Sequence, residues 1–96
     1  MSATEFKALM FGPFREAVKQ KELVYTFTKP NPTVRDLLDR LVRDYPHLSE
    51  YLYEGRELSE NTNIIINGED VRGLGGFDLE IHPEDRITFF KAAGGG

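Results

Sequence analysis

Gly94-Gly95-Gly96 closes the chain directly after Ile87-Thr88-Phe89-Phe90, an apolar run that reads as a strand. A terminal glycine carries its chemistry in one group, the α-carboxylate. With a pKa near about 3.3–3.7, that group is ionised and nucleophilic at neutral pH. Glycine lacks Cβ, so such an arm enters a narrow channel in φ/ψ states closed to other residues. The pattern therefore predicts a flexible tail, residues 91–96, that delivers the Gly96 carboxylate to another protein. The same residues also suit an inert, frayed end or a linker, and the rest of the sequence has to weigh between these readings.

Other chemistry is sparse. The 96 residues include no cysteine, which removes disulfides, thiolate nucleophiles and thiolate metal sites. His47 and His82 stand apart, with no metal-ligand spacing around them, so no metal is expected. The 16 acidic residues show no spacing that singles out a catalytic pair. Gly73-Leu74-Gly75-Gly76 lacks the last glycine of a dinucleotide fingerprint and the surrounding βαβ unit, and there is no phosphate loop. The expectation is a non-enzyme that binds no cofactor.

Net charge is −4 and the basic residues are scattered, which argues against a nucleic-acid backbone and for a basic protein surface. No apolar run approaches the roughly 20 residues of a membrane span, and no basic-plus-apolar leader opens the chain. A cytoplasmic protein without membrane partners is expected.

The elements that must position the tail follow from periodicity. Phe6 to Phe11 is almost wholly apolar and reads as a central strand buried on both faces. Gly12-Pro13 breaks it, and Phe14 to Lys19 fits one or two helical turns. Leu23, Tyr25 and Phe27 alternate with Val24 and Thr26, the pattern of a half-buried strand pairing with the first. Val34, Leu37, Leu38, Leu41, Val42 and Tyr45 form one helical stripe, with Thr33 as N-cap, Asp36 completing a capping box and Pro46 as the stop. On its outer face, Asp36–Arg40 and Arg40–Asp44 are spaced for i,i+4 pairs worth about 0.2–0.5 kcal/mol each. A short helix near Leu48–Tyr53 follows. Ile64-Ile65-Ile66 and Asn67-Gly68 predict a strand and a tight hairpin, with Glu69–Arg72 returning. Leu79 to His82 is extended, Pro83-Glu84-Asp85 turns, and Arg86 to Lys91 is the last strand.

Hairpin, helix, hairpin, strand gives one apolar stripe and one mixed sheet to cover it, a two-layer α+β sandwich. That order suits the β-grasp, with first and last strands side by side at the sheet centre. Residues 1–96 are expected to form one such domain.

Four segments carry a family resemblance over nearly the whole length. They are the opening strand running into Phe14-Arg15-Glu16; Pro32-Thr33-Val34-Arg35-Asp36-Leu37-Leu38; Ile66-Asn67-Gly68-Glu69-Asp70-Val71; and Asp85-Arg86-Ile87-Thr88-Phe89-Phe90 with the closing Gly95-Gly96. In this order they resemble the ubiquitin-like sulfur carriers: the MoaD small subunit of molybdopterin synthase, ThiS, and the small archaeal modifier proteins. The sequence departs from that pattern in three places. Lys91-Ala92-Ala93 stands where Pro-Pro-Val is usual, Pro83-Glu84 stands where a glycine precedes the Asp, and Gly94 adds a third glycine.

The resemblance implies a β-grasp domain whose Gly96 carboxylate is adenylated with ATP by a ubiquitin-activating-type enzyme. The adenylate then becomes a thiocarboxylate, most like MoaD, or passes to lysines of target proteins. The ATP belongs to the partner. The resemblance also implies that Phe11 and Phe90 contact the partner, with the molybdopterin synthase large subunit or lysines of target proteins as alternative later partners, and Arg15 is a charge that an acidic partner site could pair with. Set against this, Phe11 and Phe90 also fit a plain core, and Arg15 a plain surface charge. A β-grasp interaction module with an inert tail is the remaining reading from a different class.

Overall fold

The computed structural model describes residues 3–92. The chain runs β1 (Thr4–Met10), α1 (Pro13–Val18), β2 (Glu22–Phe27), α2 (Val34–Asp44), α3 (Leu48–Leu52), β3 (Tyr53–Glu54), β4 (Glu57–Leu58), β5 (Thr62–Ile66), β6 (Glu69–Asp70) and β7 (Ile87–Lys91). Single 3-10 turns cover Val71–Gly73 and Gly76–Asp78. The main sheet has the order β2-β1-β7-β5-β6, with β3 and β4 forming a separate small hairpin.

β1 and β7 lie parallel at the centre, with Ala8 opposite Ile87 and Met10 opposite Phe89; every other pair in the sheet is antiparallel. This is the β-grasp expected from the sequence. Its core lies on one side only. Phe6, Ala8 and Met10 of β1, Ile64 and Ile66 of β5, and Ile87 and Phe89 of β7 are buried against Val34, Leu37, Leu38 and Leu41 of α2. The reading of β1 as buried on both faces is therefore corrected. On its other face Glu5 and Lys7 are exposed and Leu9 is only half-buried, because the helices pack on a single face of the sheet.

α2 begins as its sequence predicts. The Asp36 carboxylate accepts from Thr33 N–H (2.8 Å) and Thr33 Oγ1 accepts from Asp36 N–H (3.4 Å). The i,i+4 pairs expected on its outer face do not form. Asp36 pairs with Lys29 at 3.0 Å. Arg40 lies over the Phe27 ring, 4.5 Å from its centroid, and donates to Thr26 O at 3.3 Å. The edge of β2 offers a rigid aromatic face and a free carbonyl, and these outcompete a solvated carboxylate.

Asn67 and Gly68 turn the β5–β6 hairpin with positive φ at both positions (53° and 90°), as a two-residue primed turn requires. Asn67 also bonds forward: its Nδ2 donates to Asp85 (2.9 Å) and its Oδ1 accepts from Arg86 N–H (2.9 Å). The return strand is shorter than expected. Asp70 accepts from Arg72 N–H at 2.8 Å and turns the chain into a 3-10 segment after two residues.

Candidate functional site: an open sheet face at the root of the tail

β7 delivers the chain to the tail. Its last ladder pair is Lys91 opposite Thr62, and Ala92 N–H then donates to Asn61 O at 2.7 Å. Gly94, Gly95 and Gly96 lie outside the described residues.

The face of the sheet turned away from the helices lies beside this root. Leu9, Thr88 and Ile65 form one row across β1, β7 and β5. Phe90 stands in the next row, opposite Asn63. Phe11 N–H donates to Phe89 O at 3.0 Å, so the β1–β7 ladder continues by one bond and sets Phe11 beside β7 at the level of Phe90. Leu9, Ile65 and Phe90 are half-buried, while Val24 on β2 is 48% exposed and Phe11 42%. Among the described residues no helix covers this face.

The local sequence explains how Phe11 stays outside. Gly12 has φ of 56° and ψ of −132°, a conformation that a side chain resists. Pro13, with its fixed φ and no N–H to satisfy, opens α1 immediately afterwards. The chain therefore leaves β1 through a sharp turn that buries Phe14 and leaves Phe11 on the surface. Phe14 packs edge-on against Phe89 and Tyr51, with centroids 5.9 and 6.0 Å away.

Arg15 braces this corner. Its Nε donates to Met10 O at 3.0 Å, and its guanidinium carbon sits 5.0 Å from the Phe11 centroid. The side chain is half-buried and fixed, not a loose surface charge. Phe11, Phe90 and Arg15 thus come together at one end of the open face, next to the tail root. The plain-core reading does not fit Phe11.

Sequence reasoning had not singled out Leu9, Val24 and Ile65. Alternation within β2 sets Val24 on the face opposite Leu23, Tyr25 and Phe27, while the run Ile64-Ile65-Ile66 shows no alternation to mark Ile65. Nothing local shows that three such residues from separate strands align in space.

Among the described residues no group of three or more His, Cys, Asp or Glu side chains comes together to hold a metal, and no helix is long and apolar enough to cross a membrane. A cavity of about 420 Å³ between β4 and the 3-10 segments has Arg72 at its rim. That guanidinium is engaged by Asp70 (3.1 Å) and Thr62 O (2.8 Å).

A mixed five-stranded sheet clasping one long helix, with one face bare among the described residues, defines a ubiquitin-like β-grasp domain. A model of the ThiS family matches residues 8–96, and the chain belongs to that family of ubiquitin-like sulfur carriers. No curated protein sequence matches it significantly. Among solved structures it is similar to the HVO 2177 protein of Haloferax volcanii (30% identity, TM-score 0.82, covering 98% of this chain and 88% of that one). It is also similar to small archaeal modifier protein 1 of Methanosarcina acetivorans (28% identity, TM-score 0.81, covering 100% of both chains). The fold extends to a chain of the BexX/CysO complex of Amycolatopsis orientalis (24% identity, TM-score 0.76, covering 95% of this chain and 99% of that one).

Proposed function

We propose that the chain is a sulfur carrier whose reactive group is the Gly96 α-carboxylate, in the manner of MoaD. The observation that carries this reading is the extent of the family match, which runs through Gly96, on a chain whose last described backbone bond holds Ala92 beside an open apolar face. A ubiquitin-activating-type enzyme docks on Phe11, Phe90 and the neighbouring Leu9 and Ile65. A carboxylate oxygen of Gly96 attacks the α-phosphorus of ATP, and pyrophosphate leaves. A sulfide-level donor then attacks the acyl carbon and displaces AMP, giving the thiocarboxylate with loss of a proton. The catalytic residues and the ATP belong to the partner, while this chain supplies the carboxylate, the arm and the docking face. Ordering each tail residue costs roughly 1–2 kcal/mol. Contacts of the folded domain offset that cost and leave a reversible complex that releases the carrier to its next partner.

A second reading is favoured by the 28% identity to a small archaeal modifier protein over its full length. There a lysine amine of a target protein displaces AMP and an isopeptide forms. The two readings share the adenylate and differ only in the nucleophile.

ATP–pyrophosphate exchange tests the shared step. With an active partner enzyme the full chain supports exchange, and a chain lacking Gly95 and Gly96 does not. Equal exchange by both chains contradicts the reading.

A further inference from the structure

Lys91 and Thr62 are cross-strand partners at the end of β7 and the start of β5. Both side chains turn to the helix side of the sheet, and both end on one atom. Thr62 Oγ1 donates to Tyr51 O, and Lys91 Nζ donates to the same oxygen at 3.3 Å. Tyr51 sits in the last turn of α3, where carbonyls lack helical partners and a cation is favoured. The Lys91 ammonium also lies 5.9 Å from the centroid of the Tyr51 ring. One residue further, Ala92 N–H is bonded to Asn61 O at 2.7 Å. The chain is thus fastened at two successive residues, once by a side chain and once by the backbone.

From this geometry we infer that Lys91 is a positioning residue for the tail: its ammonium, clamped on the Tyr51 carbonyl, fixes the place at which Ala92 hands the chain on to the segment that carries the carboxylate. The inference rests on the carrier reading above. The four residues after Ala92 reach at most about 14 Å. With the root held, those four residues alone have to be ordered when the carboxylate is delivered, whereas a loose root adds a further residue to be ordered. The hold at the root therefore matters to delivery of the carboxylate. Lys91 suits this task because its long stem spans from β7 to α3 while its ammonium keeps a fixed acceptor. The acceptor is itself held in place by the buried Thr62.

Two variants test this in the full-length chain. Lys91→Met keeps the stem and removes the ammonium, and Lys91→Arg keeps a cation that reaches the carbonyl. The readouts are hydrogen exchange of the Ala92 amide and kcat/KM for adenylation by the partner enzyme. In Lys91→Met, Ala92 exchange rises and kcat/KM falls, each by about ten-fold, the factor set by one further residue to be ordered. Lys91→Arg restores both, and Lys91→Met stays folded with a melting temperature lowered by no more than about 4–8 °C. If Lys91→Met leaves Ala92 exchange unchanged, there is no clamp. If exchange rises while adenylation is untouched, the clamp does not position the tail, and if adenylation falls without faster exchange, Lys91 contacts the enzyme instead. Each of these overturns the inference. Failure of the wild-type chain to be adenylated by an enzyme active on another carrier sinks the carrier reading, and the positioning role with it. The exchange comparison still decides whether the clamp exists.

Discussion

The amide of Ala92 meets the carbonyl of Asn61 at 2.7 Å, the last backbone hydrogen bond of the described residues. It divides the chain by role, with the sheet's bonds on one side and the proposed reactive segment on the other. Removing residues 93–96 is therefore expected to leave the fold intact. A chain ending at Ala92 should keep its melting temperature to within about 4 °C, since surface changes stay near 0.5 kcal/mol and about 1 kcal/mol corresponds to 4–8 °C at this size. Thermal unfolding of the two chains checks this, and a large drop would mean that the tail packs on the domain.

Phe11 and Phe90 share one end of the open face, and Phe11 is 42% exposed. Exposed aromatic side chains concentrate binding energy when a partner covers them, about 1–2 kcal/mol or more on truncation. Phe11→Ala and Phe90→Ala are each expected to raise the KM for the carrier in adenylation by about ten-fold while changing kcat little. Steady-state kinetics with a still-folded variant measures it. Unchanged KM in both would move the docking face elsewhere.

Gly12 has φ of 56°, and a Cβ added there meets nothing within 4 Å. The cost of Gly12→Ala is thus backbone strain alone, about 1–2 kcal/mol. Denaturant unfolding should show a lower midpoint with an unchanged slope. Relief of the strain would re-aim Phe11, so KM for the partner should rise as well.

Asp36 carries a pH prediction. Burial raises its pKa, but the Thr33 N–H, Lys29 and the Thr33 hydroxyl outweigh that and hold the carboxyl below its ordinary 3.8. A carboxyl depressed by folding contributes stability above its unfolded pKa, and that contribution is lost as pH falls through the folded value. Wild-type stability should therefore drop with acidification below about pH 4, more steeply than in Asp36→Asn. Parallel pH profiles of unfolding free energy for the two chains would contradict the capping account.

Where a pattern was local, the sequence sufficed. The stripe from Val34 to Leu41, the Thr33–Asp36 box and the Asn67-Gly68 turn each depend on residues within a few positions of one another. The β3–β4 hairpin was missed because two strands of two residues around Gly55 (φ 66°) carry no periodicity. The Arg40 pairs were misread because its true partners, Phe27 and Thr26, lie across the fold on β2. The site divides the same way. Phe11 and Phe90 are candidates through the family resemblance and Arg15 as a nearby charge, but the row of Leu9, Thr88 and Ile65 exists only after three strands align. The Lys91–Tyr51 contact joins residues 40 apart, which no local pattern reports.

The most direct test of the central claim is the intact mass of the protein after incubation with ATP, a sulfide-level donor and a ubiquitin-activating-type enzyme. The carrier account predicts a gain equal to one oxygen-for-sulfur exchange, absent from a chain lacking Gly96. An unchanged mass, with an enzyme shown to be active on another carrier, would contradict it.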